Sequence, residues 1–182
     1  MSHRTFLIAD PHFLHEGVCK FLRDDGSKLR PWDDAATMTK DMAEYWNDTV
    51  RAKGDKVYVL GDVAFKPQHL EVLHKLHGDK VLIKGNHDTC ELKIYQRYFR
   101  DVRACHILDR YLLTHIPIHP MSLARWRGNI HGHLHYRDYD DPRYLCVSVE
   151  HTNYRPILWE EVRARFDEKK RTRTVDSTGG TE

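Results

Sequence analysis

Lys56-Val57-Tyr58-Val59-Leu60-Gly61-Asp62 and Val81-Leu82-Ile83-Lys84-Gly85-Asn86-His87-Asp88 carry one pattern twice: a short apolar run, then glycine and polar side chains. Runs of this length, rich in Val and Ile and apolar throughout, predict strands buried on both faces, as in a parallel sheet. Between them Pro67 suits the first turn of a helix, Leu70, Leu73 and Leu76 recur on one side, and Gly78 suits its end. Strand, helix, strand with short connections predicts a parallel βαβ unit. Working back, Thr5 to Ala9 is a similar apolar run ending at Asp10, and predicts a first strand. Asp33 or Asp34 can cap a helix over about Ala35 to Ala52, where Met38, Met42, Trp46 and Val50 form one stripe and Gly54 suits the stop. The intervening segment, residues 13–34, predicts a long loop with one helical turn near Val18 to Leu22, and loops of that length are usually functional.

Working forward, a helix is expected over about Cys90 to Phe99. Val102 to Leu108 and Tyr111 to His115 flank Asp109-Arg110 as a hairpin would, and from there the pattern turns antiparallel. Asn129 to Gly132 and Arg143 to Glu150 are further strand candidates, and Pro156 to Phe166 a last helix. Residues 1–166 are expected to form one domain. Residues 167–182 are charged and poor in apolar side chains, and predict a disordered tail.

Composition excludes several classes. With 182 residues, 40% hydrophobic and 31% charged, the chain can bury a core without staples. The 29 basic and 27 acidic residues leave a net charge of +2, too little to argue for nonspecific attraction to nucleic acid or membrane. Cys19, Cys90, Cys105 and Cys146 form no C-x-x-C pair, which argues against a disulfide framework or thiolate zinc site and fits a reducing cytoplasm. No stretch has the length of a membrane span or signal sequence. The anomaly is 14 histidines.

Several of these lie where predicted strands end: Asp10-x-His12, Gly61-Asp62, Gly85-Asn86-His87-Asp88, Thr114-His115 and Gly132-His133-Leu134-His135. In an α/β sheet the carboxyl ends of strands converge on one ligand crevice. Asp10 and His12, like His133 and His135, are two apart, which in extended backbone sends both side chains to one face. Carboxylates and an amide mixed with imidazoles suit first-row divalent ions, and there are too many donors for one tetrahedral ion. Two ions about 3.5 to 4 Å apart, sharing a carboxylate, would suit an in-line displacement at phosphorus. Each motif taken singly also suits an ordinary turn; five in sequence do not share that explanation.

D-x-H, G-D, G-N-H-D, a lone histidine and G-H-x-H, in this order after strands, resemble the calcineurin-like metallophosphoesterase superfamily. The resemblance spans Phe6 to about Glu150. The start, with D-x-H-F-x-H, is similar to a small single-domain bacterial and phage-type branch. Pro11 departs from the small or polar residue usual in D-x-H. The resemblance implies an α/β fold of the layered β-sandwich type, with flanking helices and mixed parallel and antiparallel sheets. It implies that Asp10, His12 and His135 bind one metal, Asn86, His115 and His133 a second, and that Asp62 bridges them. His87 would act on the phosphoryl group or leaving oxygen, with Asp88 orienting it, and a metal-bridged hydroxide would be the nucleophile.

Two divalent ions are thus the expected cofactors, manganese first, with iron, zinc, cobalt or nickel as alternatives. His15 and Arg30 are candidate substrate contacts, Arg30 within an Arg30-Pro31-Trp32 element whose tryptophan could stack on a base or pack inward. His119 could line the pocket, though a structural role is preferred, and His3, His69, His74, His77, His106, His131 and His151 need no special explanation. The expected activity is hydrolysis of a phosphate mono- or diester, a small ester or cyclic nucleotide before long DNA. The alternatives are a metal-dependent nuclease or a non-catalytic scaffold on the same fold. Oligomeric state and physiological substrate are left open.

Overall fold

The computed structural model describes residues 3–178, with side chains as far as Arg171. Strands β1 (Thr5–Ile8), β2 (Lys56–Val59), β3 (Asp79–Ile83) and β4 (Asp101–Arg103) pair in parallel, in the order β4-β3-β2-β1. A short strand β9 (Ile157–Leu158) closes the other edge, antiparallel to β1. A second sheet of order β5-β6-β7-β8 holds β5 (His106–Leu108), β6 (Tyr111–Leu113), β7 (Gly128–His131) and β8 (Tyr144–Cys146). The protein is therefore α/β with two mixed sheets and flanking helices.

Alternation along β1 explains the layering. Phe6 and Ile8 face one core with Met38, Met42 and Trp46 of helix α1 (Ala35–Thr49). Leu7 faces the other core, shared with Tyr111 and Leu113 of β6, Ile130 of β7, and Val162 and Phe166 of the C-terminal helix. With side chains alternating across a strand and both faces covered, these strands are apolar throughout. Helix α1 begins where the sequence places it: Asp34 caps it, accepting from the Thr37 amide at 2.8 Å.

Several sequence expectations give way. The Pro67 helix is 3-10 rather than α (Pro67–Lys75), and only one helical turn, α2 (Leu92–Tyr95), forms within 90–99. Val102 to Leu108 is not one strand: β4 joins the first sheet and β5 the second, with Ala104-Cys105 crossing between them. The Asp109-Arg110 hairpin forms, both residues taking the positive φ its tight turn requires. Beyond this hairpin the second sheet is parallel rather than antiparallel, because residues 114–127 and 132–143 act as crossovers that bring β6, β7 and β8 into the same direction.

Of 143–150, only Tyr144–Cys146 is strand, succeeded by a 3-10 turn at Val149–His151. The last helix, α3 (Trp159–Thr178), starts three residues later than expected and replaces the expected disorder as far as Thr178. Residues 159–178 contain no glycine or proline. Arg165 pairs with Glu161 one turn away at 2.7 Å, and Lys169 bonds Asp138 at 2.8 Å and the Tyr144 carbonyl at 3.2 Å. The remainder of the expected tail, 179–182, lies outside the described residues.

Candidate metal centre

Past the ends of β1 and β2 the pairing continues into the loops. The amides of Asp10, His12 and Phe13 donate to the carbonyls of Gly61, Asp62 and Val63 at 3.1, 3.1 and 2.9 Å. On its other side β1 is stitched to the second sheet, Ala9 N donating to the Val147 carbonyl and Val149 N to the Ala9 carbonyl, both at 3.0 Å. The two sheets thus share a rim, and the ligand-bearing loops lie on it.

The extended backbone expected for D-x-H and H-x-H is not what forms. Asp10 (φ 55°), His12 (48°), Asp62 (52°), His133 (70°) and His135 (53°) are all left-handed. Asp and His enter that region more readily than most residues, and a tight turn there aims each ligand separately instead of by strand alternation. His133 and His135 accordingly go to different groups. Asp10, His12 and His135 offer donor atoms within 4.8 Å of one another, and Asp62, His115 and His133 form a second such set. Both groups are positioned to hold metal ions.

Asp62 lies between them, its Oδ2 3.3 Å from His115 Nε2 and 3.8 Å from His12 Nε2. Asn86 Oδ1 accepts from His115 Nε2 at 2.9 Å, which brings the amide to the second group. The loops come this close because two glycines face each other: a Cβ on Gly61 would stand 2.6 Å from the Gly85 Cα, and one on Gly85 2.2 Å from Asp62 Oδ1.

The donor chemistry fits divalent cations on grounds of its own. Asp10 is fully buried. Its Oδ2 accepts from Ser148 Oγ at 2.6 Å and from the His133 amide at 2.9 Å, while its Oδ1 accepts no hydrogen bond and lies 3.9 Å from His115 Nδ1. Burial pushes this carboxyl up to about 6. A buried carboxylate with one oxygen free of hydrogen bonds and imidazoles around it is a donor set that fits a cation. His12 is pushed well down by burial, as a neutral donor imidazole would be. His115 behaves oppositely: burial lowers it, but the Asp62 hydrogen bond and the charges of Asp10 and Asp62 outweigh that and hold it at about 9. His115 Nδ1 donates to the Leu60 carbonyl at 2.9 Å, so Nε2 is the ring nitrogen turned toward Asp62 and Asn86 and the one that would bind an ion.

Two of the residues expected at the site from sequence, Asp88 and Arg30, do other work. Asp88 does not orient the His87 ring; its carboxylate accepts from the amides of Asp62 (2.9 Å), Val63 (3.0 Å) and Gly85 (2.8 Å), pinning both turns that flank Asp62. The nearest unsatisfied donors to this buried side chain are amides, and they capture it. Arg30 is no substrate contact. It is fully buried, donating to the carbonyls of Asp10 (2.6 Å) and Pro11 (2.8 Å) and pairing with Glu150 at 2.9 Å. Trp32 packs inward, bonding Asp41 at 2.7 Å with its ring 4.7 Å from Tyr154. His87 is exposed beside the first group, 6.1 Å from the His12 ring, and its amide donates to Asp62 Oδ1 at 2.9 Å. His15 is half-buried, 5.6 Å from His12, and the His119 side chain accepts from the Met121 amide at the start of a 3-10 turn.

Glu150 and Ser148 are the residues that sequence reasoning missed. Burial would raise Glu150, but Arg30 and His135 hold it down to about 2, and its Oε1 lies 3.2 Å from His135 Nδ1. That bond leaves His135 Nε2 as the free donor. The signal was slight: both come after the last strand of the second sheet, and neither sits in a motif.

No protein-family model matches the chain. It is 29% identical over 188 aligned positions to Uncharacterized protein MJ1445 of Methanocaldococcus jannaschii, covering 95% of this chain and 97% of that protein. Among solved structures it is similar to the protein of unknown function AQ665 from Aquifex aeolicus, with a TM-score of 0.67 and 23% identity, over 90% of this chain and 99% of that one. The likeness is one of fold. Among the described residues no helix is long and apolar enough to cross a membrane.

Proposed function

We propose that this chain is a metallophosphoesterase that hydrolyses phosphate mono- or diesters with two divalent ions, manganese first among them. The observation that carries this reading is the placement of Asp62 between two Asp/His groups, one centred on Asp10 and the other on His115. Two bound dications would neutralise phosphoryl oxygens and supply hydroxide near neutral pH, so no side-chain nucleophile is needed. Asp10, His12 and His135 would hold one ion, Asn86, His115 and His133 the other, and Asp62 both. Asp88 and Arg30 keep these loops in register through backbone contacts. His87, exposed and next to the first group, is free to hold a proton at the leaving oxygen.

Two measurements test this. Metal analysis after loading with Mn²⁺ and gel filtration should find about two ions per chain, and a panel of phosphomonoesters, cyclic nucleotides, dinucleotides and DNA should show Mn²⁺-stimulated turnover of small esters. One inert zinc with no turnover would reject the reading, while salt-sensitive cleavage of DNA alone would redirect it to a nuclease. His87→Gln should keep both ions yet reduce kcat by on the order of 10² to 10⁴-fold, the usual worth of a positioned acid or base. Full activity in that variant would remove His87 from the chemistry.

A further inference from the structure

A row of rings leads away from the metal groups on the His87 side. Phe65, three residues after Asp62, has its ring centroid 4.6 Å from His87, 5.5 Å from His12 at an interplanar angle of 20°, and 4.3 Å from His15. His15 is in turn 6.1 Å from Phe21, edge to face. Phe65 remains 36% exposed and Phe21 52%. A Cβ on Gly17 would lie 3.0 Å from the His15 ring and 3.1 Å from Phe21 Cζ, so the bare position lets both rings lie across that turn.

Shielding the ligands from water would account for a buried Phe65, but not for one with this much open surface. Nor would it account for the row continuing through His15 to Phe21, which is itself more than half exposed. Exposed aromatic faces beside a charged crevice offer what a phosphate does not need and a planar ring does, since base–aromatic stacking depends on apolar contact and π-faces rather than charge. The first ring of the row touches His87, where an ester's alcohol side would lie if His87 serves the leaving oxygen.

We propose that Phe65, His15 and Phe21 form a stacking surface for a planar heterocycle, so that the ester this site takes is a nucleoside phosphate. The inference rests on the metallophosphoesterase reading and adds the substrate class. It is tested by titrating the Mn²⁺-loaded protein calorimetrically with adenosine 5′-monophosphate and with ribose 5-phosphate, which differ only in the base. The nucleotide should bind on the order of 10-fold more tightly, the usual worth of one stacked base. In Phe65→Leu the ratio should fall to about 2-fold or less. Phe21→Ser, a change at an exposed side chain, should reduce the ratio too, and serves if Phe65→Leu disturbs metal loading. Equal affinities in the unaltered protein, or a nucleotide advantage that survives both substitutions, overturns the stacking surface while ester turnover leaves the metal reading standing. If neither phosphate binds and no ester is hydrolysed, the metal reading has failed and this inference falls with it.

Discussion

Asp62→Asn should reduce bound metal from about two ions per chain to one or fewer and lower kcat on any accepted ester by on the order of 10³-fold or more. The substitution keeps size and shape but removes the charge at the point the two groups share. Asp62 Oδ2 is the carboxylate oxygen 3.3 Å from His115 and 3.8 Å from His12, so it reaches both sets, while Asp10 of the first set approaches the second with its Oδ1 3.9 Å from His115 Nδ1. Asp62 Oδ1 accepts from the His87 amide, a bond that an amide oxygen can still make, so the turn should keep its form. Loss of metal with an unchanged circular dichroism spectrum is the expected signature, measured by elemental analysis after desalting. Two retained ions and activity within tenfold of the starting protein would show that Asp62 does not join the groups.

Arg30→Met should cost about 3 to 5 kcal/mol of stability, the usual consequence of leaving one half of a buried ion pair alone. Both Arg30 and Glu150 are fully buried at the side chain. For a chain of this size that is a fall of roughly 6 to 20 °C in the unfolding midpoint. The double variant Arg30→Met with Glu150→Gln should recover much of the loss, since the stranded charge is gone. Thermal and urea unfolding measure the effect. Unchanged stability with a raised KM would instead return Arg30 to substrate binding, the role its place in a long loop first suggested.

That reversal marks where sequence stops being informative. Residue type and order sufficed to bring Asp10, His12, Asp62, Asn86, His115, His133 and His135 to one rim, because strand ends in such sheets converge and each ligand comes directly after a strand. They sufficed for β1, β2 and β3, whose apolar runs answer to two covered faces, and for α1, whose stripe and Asp34 cap are local. They failed for partners distant along the chain. Arg30 meets Glu150 across 120 positions, and nothing near either residue announces the other. Asp88 departs from expectation for a related reason: neighbourhood in sequence points to His87, whereas three amides brought close by tertiary folding capture its carboxylate. In β4 and β5 one continuous pattern hid a change of sheet at Ala104-Cys105. In α3 the apolar stripe ends near Phe166, and Glu168, Lys169, Lys170 and Arg171 then continue it as good helix formers, Lys169 reaching acceptors in the loop before β8 and on it.

The left-handed backbone at five positions in three loops, Asp10, His12, Asp62, His133 and His135, also bounds which donors the rim can present. Each position answers to two selections at once, the lone pair it offers and the backbone region it occupies. A non-glycine residue there costs on the order of 1 kcal/mol, and Asp, Asn and His tolerate the region best. Exchange among those three is the accessible alphabet. Thiolates, and the carboxylate of glutamate on its longer stem, would be opposed by the turn before any ion had been offered. A redesign toward thiolate donors would therefore have to rebuild the loops first, so the main chain as much as the side chains fixes which donors this rim can present.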